Sequence, residues 1–370
     1  MQRHKTREVP LGKLVVGGQN PIYVQSLTTT KTEDVEATKA EVRRMLDAGC
    51  EIVRVAVFNQ PDADAIGAVK KFLGDVPLVA DIHFNYKYAL DAIKNGVDKV
   101  RLNPGNIAGL AGTFGDVGRE RVKVVAEAAK KKGISMRVGV NSGSVEKDLL
   151  EKYGYPRPEC MVESALRHCE FLESCGFRDI IVSIKSTNTQ WMIENYRLWA
   201  KASDIPTHLG VTEAGLPGYG TIKSAIGIGS LLCDGIGDTI RVSLTGDKKL
   251  EVEAAFEILK ASARRVREPE IVACPACGRI QIDLEKIVNE VKDRIRDVRV
   301  PIRISILGCA VNGPGEAAEA DIGVAGEKEK GVIFKEGREL RRVRESEMVA
   351  ELEKEIRALA RERMNGNGAH

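Results

Sequence analysis

Glu51-Ile-Val-Arg-Val-Ala-Val57 is followed by Pro61, a stripe of Ile66, Val69 and Phe72, then Gly74, and then Pro77-Leu-Val-Ala-Asp-Ile-His83. A short β-branched run gives way to a helix that tolerates proline in its first turn and closes at glycine. A second run follows and ends in polar residues. The same unit recurs from about residue 20 to residue 265. Its runs cover 22–26, 51–57, 77–83, 99–104, 135–141, 179–185, 207–213 and 238–244. Eight strand–helix units over roughly 250 residues are what a (β/α)8 barrel requires. Thr30 with Glu33 fits a capping box for the first helix. A doubly wound open sheet is the alternative, but its glycine-rich first turn, G-x-G-x-x-G, is absent.

After Glu268-Pro269 the pattern changes. Strands are expected at 271–273 and 298–307, a helix at 282–295, two short strands near Ile322 and Val332, and a charged helix at 345–363. The chain therefore divides into a barrel, 1–265, and a small α/β domain, 266–370. The 370 residues carry 56 basic and 53 acidic side chains, a net charge of +3. That balance argues against a nucleic-acid partner while leaving room for a local basic pocket. No window has the apolar length of a membrane span, and the charged N-terminus has no apolar signal core, so a cytoplasmic protein is expected.

Cytosolic cysteines are reduced thiols, and clustered ones read as metal ligands or redox centres. Cys274 and Cys277 form C-x-x-C, and Cys309 opens a second Gly/Pro-rich turn. Three thiolates suit an iron–sulfur cluster, a zinc site or a redox dithiol. Residues 269–330 offer no fourth Cys and no His, which counts against zinc. Glu316, in the Cys309 loop, is the nearest candidate for the missing position. Cys50, Cys160, Cys169, Cys175 and Cys233 read as small buried hydrophobes, and His4, His168 and His370 as incidental.

Barrel enzymes work at the C-terminal ends of their strands. Those ends hold Arg54, Asp81, His83, Arg101, Asn103, Arg137, Asn141, Ser183, Lys185, Thr212, Glu213, Arg241 and Ser243. Four arginines and a lysine from five strands call for a counter-anion. A phosphate ester fits, because arginine grips phosphate oxygens bidentately. Individual arginines could instead pair with Asp81, Glu213 or Asp238. The turns after strands 7 and 8, at 215–220 and 245–247, lie where this fold often binds phosphate. Glu213 is the candidate proton donor or cation stabiliser. A phosphate-binding aldolase or lyase with a structural zinc domain, and a non-catalytic iron–sulfur sensor, are the rival readings.

Val-Gln-Ser at 24–26, Ala-Asp-Ile-His at 80–83, Val-Arg-Leu-Asn-Pro-Gly-Asn at 100–106 and Arg-Val-Gly-Val-Asn-Ser-Gly-Ser at 137–144 resemble one enzyme family. So do His-Leu-Gly-Val-Thr-Glu-Ala-Gly at 208–215, Cys-Pro-Ala-Cys-Gly-Arg at 274–279 and Gly-Cys-Ala-Val-Asn-Gly-Pro-Gly-Glu at 308–316. This is the 4-hydroxy-3-methylbut-2-enyl diphosphate synthase family in its two-domain bacterial form. The one small departure is Leu27, where the family's pattern has Met. The resemblance implies two-electron reductive ring opening and dehydroxylation of 2-C-methyl-D-erythritol 2,4-cyclodiphosphate in the non-mevalonate isoprenoid route. It implies a [4Fe–4S] cluster on Cys274, Cys277 and Cys309, with Glu316 as a replaceable ligand. Substrate contacts are implied for Arg54, His83, Arg101, Asn103, Arg137, Asn141, Lys185, Arg241 and Ser243, with Thr212 and Glu213 near the reacting carbons. Flavodoxin or ferredoxin would supply electrons. A homodimer, in which the cluster domain of one chain caps the barrel of the other, is also implied.

Overall fold

The computed structural model describes residues 2–107, 115–309 and 319–366. Two compact units divide the chain, Met1–Arg265 and Val266–His370. The first begins with a hairpin of β1 (Val9–Leu11) and β2 (Leu14–Val16). Eight parallel barrel strands follow. They are β3 (Tyr23–Leu27), β4 (Ile52–Ala56), β5 (Leu78–Ile82), β6 (Lys99–Leu102), β7 (Ser135–Asn141), β8 (Ile180–Lys185), β9 (His208–Leu209) and β10 (Thr239–Ile240). Their order is β8-β7-β6-β5-β4-β3-β10-β9, and a bridge from Val182 of β8 to Thr207 closes the ring.

Side chains alternate across a strand, and here the two faces have opposite character. Outward residues such as Val53, Val55, Ala80, Val100, Val138 and Val182 join the buried core with the helices. At the N-terminal end of the barrel, Tyr23, Ile52, Val79 and Ile181 pack against Val9, Leu11 and Val16 of the hairpin. That end is therefore plugged with apolar side chains. One pleat further toward the other end, the inward positions turn polar and charged. The sequence reading began the barrel near residue 20 and had no expectation for the plug.

Helix entry differs from the expected pattern at one point. Asp34, not Thr30, caps Val35–Asp47, its side chain accepting from the Ala37 amide at 3.0 Å. Thr30 is engaged elsewhere. Its hydroxyl lies 2.9 Å from that of Thr38, and Glu41 accepts from the amides of Thr29 and Thr30. Elsewhere the caps fall where turn chemistry puts them. Pro61 sits in the first turn of Gln60–Leu73, and Asp247 caps Lys248–Ala261.

The second unit has one five-stranded sheet. Its strands are β11 (Glu270–Ala273), β12 (Arg303–Leu307), β13 (Ile322–Glu327), β14 (Lys330–Lys335) and β15 (Arg338–Arg344), in sequence order. β11, β12 and β13 run parallel; β14 and β15 complete the sheet antiparallel. Leu284–Arg294 and Met348–Gly366 supply helical cover, with Ile287, Val291, Leu352 and Ile356 buried together against Ile304 and Val324. β12 starts later than the expected 298, because Pro301 precedes it. β15 was not expected at all. Its sequence, Arg-Glu-Leu-Arg-Arg-Val-Arg, is nearly all charge, as suits a sheet edge that must not pair with another chain.

Candidate active site

Arg54, Asp81 and Arg101 form the best-defined part of the barrel interior. Asp81 accepts from Arg101 Nη1 at 3.1 Å and lies 3.3 Å from Arg54 Nη2. Burial works against its charge, yet Arg54 and Arg101, with help from His83, hold its carboxyl well below the usual carboxylate range. Burial pushes Arg54 down to about 10 against the pull of Asp81. His83 Nε2 is 3.5 Å from Asp81 Oδ2 and 3.1 Å from Arg101 Nη1, so it belongs to the same cluster, with its ring partly open to solvent. With its amide oxygen turned toward Arg101, Asn141 accepts from Nη2 at 3.2 Å.

Arg137 is different. It is 1% exposed and, among the described residues, pairs with no carboxylate and has Nε and Nη1 without partners. Burial, with the fields of Arg54 and Arg101, drives its pKa well down. Lys185 feels the same burial and the fields of Arg137 and Arg241. The barrel wall makes room for these groups with glycine. A Cβ on Gly139 would stand 2.6 Å from Arg101 Nε, and one on Gly210 would stand 2.7 Å from Lys185 Nζ.

Arg241 has a partner that no strand carries. Glu251, 1% exposed on the helix Lys248–Ala261, accepts from Arg241 Nη2 at 3.2 Å and Lys248 Nζ at 2.8 Å. It also accepts from Ser26 Oγ at 2.7 Å and from the Leu244 amide. Asp238, which the sequence offered as an arginine partner at this site, instead binds Arg3 and Thr207. Asn103 is buried, and Ser243 and Thr212 are half-buried. Thr212 Oγ1 has no partner among the described residues. Glu213 is exposed, makes no ion pair among the described contacts, and sits in the left-handed region at φ 54°. A non-glycine residue held there is strained, and such strain gathers at functional sites.

In the second unit, Ala273 pairs in register with Ile306, so β11 and β12 end side by side. Cys274 follows one end, and Gly308 and Cys309 follow the other. The Gly308 amide donates to Cys274 Sγ at 3.2 Å. Ala276, at φ 57°, turns the Cys-Pro-Ala-Cys loop back on itself. Cys274 and Cys309 are half-buried and Cys277 is exposed. Among the described residues, no three His, Cys, Asp or Glu side chains converge closely enough to hold a metal. Glu316 lies outside the described residues.

Both units match known sequence families. Residues 6–256 match the GcpE TIM-barrel domain, and residues 270–358 the GcpE protein C-terminal domain. The chain belongs to the GcpE family. Among GcpE relatives, the 4-hydroxy-3-methylbut-2-en-1-yl diphosphate synthase (flavodoxin) of Geobacillus thermodenitrificans is 52% identical over 98% of this chain and 94% of its own. The enzyme of the same name from Bacillus licheniformis is 53% identical over 97% and 95%. More distantly, dihydropteroate synthase from Thermus thermophilus superposes with a TM-score of 0.48 at 14% identity, over 69% of this chain and 97% of that one.

Within this GcpE chain the sequence reading missed Lys99, His208 and Glu251. Lys99 and His208 lie one pleat below the strand ends. Glu251 had a signal available, since a glutamate one turn into a helix behind a phosphate-type turn can reach back to the strand end. The bland reading of the other cysteines holds for Cys50, Cys160 and Cys169, which are buried; Cys175 is half-buried and Cys233 exposed. His168 is a core histidine, 2% exposed, with Nε2 3.2 Å from Glu146 Oε1.

Proposed function

We propose that this chain carries out the reaction its GcpE relatives are named for. That reaction is two-electron ring opening and dehydroxylation of 2-C-methyl-D-erythritol 2,4-cyclodiphosphate to 4-hydroxy-3-methylbut-2-enyl diphosphate. The carrying observation is the buried basic interior. Arg54, Lys99, Arg101, Arg137 and Lys185 lie on four strands and Arg241 just beyond β10, and among the described residues only Asp81 and Glu251 oppose them. An isolated buried cation is costly, and a ligand with two phosphates offsets that cost. Arg137, unpaired among the described residues and wholly buried, is the strongest sign of an anion to come.

In this reading Arg54, His83, Arg101, Asn103, Arg137, Asn141, Lys185, Arg241 and Ser243 hold the two phosphates and orient the ring. Asp81 and Glu251 fix the arginine forks, which keeps the donors pre-aimed. Thr212 and Glu213 face the reacting carbons, and the exposed Glu213 acts either as a carboxylic acid that gives the departing oxygen its proton or as a carboxylate that steadies a developing positive charge. Cys274, Cys277 and Cys309, with Glu316, would hold an iron–sulfur cluster of the [4Fe–4S] type. The N–H···S bond to Cys274 and the soft thiolate set favour that assignment. Such a cluster supplies low-potential single electrons.

The name of the relatives points to flavodoxin as donor, with ferredoxin an equivalent low-potential carrier. The chain acts in the cytoplasm, and no helix among the described residues is long and apolar enough to cross a membrane. It works as a homodimer. Tyr219, Ile222 and Ile226, spaced i, i+3, i+7 on one helix with Leu216 beside them, are more than half exposed, an apolar stripe suited to a second copy. The deciding experiment is turnover of the cyclodiphosphate by anaerobically purified protein with reduced flavodoxin, alongside iron, sulfide and zinc analysis. Product formation with about four iron and four sulfide per chain supports the reading. Stoichiometric zinc and no turnover would overturn it.

A further inference from the structure

Lys99 stands on β6 one pleat below Arg101, on the same inward face. It is 0% exposed, and among the described residues its ammonium nitrogen has no hydrogen-bond partner and no carboxylate. Ser135, its partner in register on β7, also has a free hydroxyl. Gln25 on β3 and His208 Nε2 on β9 are buried with unpartnered polar atoms too. These four form a polar floor between the apolar plug and the arginines. The charged groups whose fields reach Lys99 are Arg137 of β7 and Arg54 of β4, both of its own sign, while His208 feels Lys99 in turn.

We propose that Lys99 is a positioning residue of the phosphate site, uncharged at rest, which takes up one proton when a phosphate ester dianion settles on the arginines above it. Charge balance requires some such event. Counting Lys248, seven basic side chains of this cluster meet two carboxylates among the described residues. Arginine does not give up its proton in proteins, so the adjustable charges are lysines. Lys185 is at the half-buried rim of β8, and Lys248 is bonded to Glu251. Lys99 is the fully buried one with nothing described to hold its proton, and burial favours its neutral form. An arriving dianion reverses that field. The proton comes from solvent and goes to the Nζ lone pair, and no bond of the ligand breaks. Protonated Lys99 then repels Arg137 and Arg54 toward the mouth, pressing their donors onto the phosphates.

This inference rests on the diphosphate reading, and one titration separates the two. Oxidised holoprotein, without reductant, is titrated calorimetrically with the cyclodiphosphate in buffers of different ionisation heat. The ligand's own acidic oxygens titrate far below neutrality, so uptake reports the protein. Wild type should take up about one proton per ligand, and its affinity should fall about tenfold per pH unit across the window below the ordinary lysine range. Sign and window agree, because a group protonated only in the complex binds ligand best at lower pH. Lys99→Met and Lys99→Arg should bind without uptake, and His208→Asn should retain it. Binding by wild type with no buffer dependence overturns the inference and leaves the diphosphate reading standing. Unchanged uptake in a folded Lys99→Met overturns it as well. No binding at all overturns both. If neither Lys99 variant folds, the wild-type buffer dependence and pH slope still decide whether the proton is taken up.

Discussion

In the barrel unit most of the charged side chains ride on strands or strand ends, lie below the surface and are cross-braced. Asp81 ties two arginines, and Glu251 ties an arginine, a lysine, a serine and a backbone amide. In the C-terminal unit the cysteines ride on turns beyond the ends of β11 and β12, and Cys277 is open to solvent. A charged pocket must be built by the fold, since like charges do not assemble themselves. Thiolates can be left to a metal to gather, because binding energy and ordering then arrive together.

The contrast breaks first at the cysteines. Cys277→Ser should leave the barrel folded yet lower turnover of the cyclodiphosphate at least 100-fold, since even outer partners of a metal are worth about 10–100-fold. Iron content and visible absorbance should fall with it; a brown, active variant would remove Cys277 from the ligand set. Next comes the brace. Glu251→Gln leaves Arg241 and Lys248 buried without their carboxylate and should cost about 3–5 kcal/mol, read as a lower urea midpoint with unchanged iron. A smaller effect lies in the pH dependence that Asp81 confers. Asp81 has a depressed folded pKa, so its stabilisation is complete above about pH 4 and is lost as pH falls through the folded value. Wild type and Asp81→Asn should therefore differ by a constant amount from about pH 5 to 8 and converge in stronger acid. The smallest effect is the control. Cys233→Ser, at an exposed helix end, should shift stability by less than about 0.5 kcal/mol and leave turnover intact.

The barrel was legible because its period repeats. Each β-branched run is followed by a helix with its own cap and stop, so the number of units follows from punctuation alone. Strand ends named the arginines, since position in this fold carries function. The floor beneath them was not legible. Lys99 and His208 have no sequence mark that distinguishes a buried base from a surface one; only barrel closure decides that. Glu251 escaped because its role depends on a helix reaching back across a turn. The edge strand β15 and the plug hairpin were silent for opposite reasons: one is too charged to look like a strand, the other too short. The exposed apolar stripe of Tyr219, Ile222 and Ile226 escaped as well, because periodicity cannot say which side of a helix stays bare.

The hairpin at residues 9–16 has a kinetic consequence. By stoppering one end of the barrel with apolar side chains it leaves, among the described residues, the opposite end as the doorway to the interior. Whatever enters must depart by the same route, so a spent molecule and a fresh one cannot pass each other. If the arginines hold the diphosphate as proposed, product that lingers on them excludes its own precursor, and the rate at which the interior empties sets a ceiling on every step that takes place inside it.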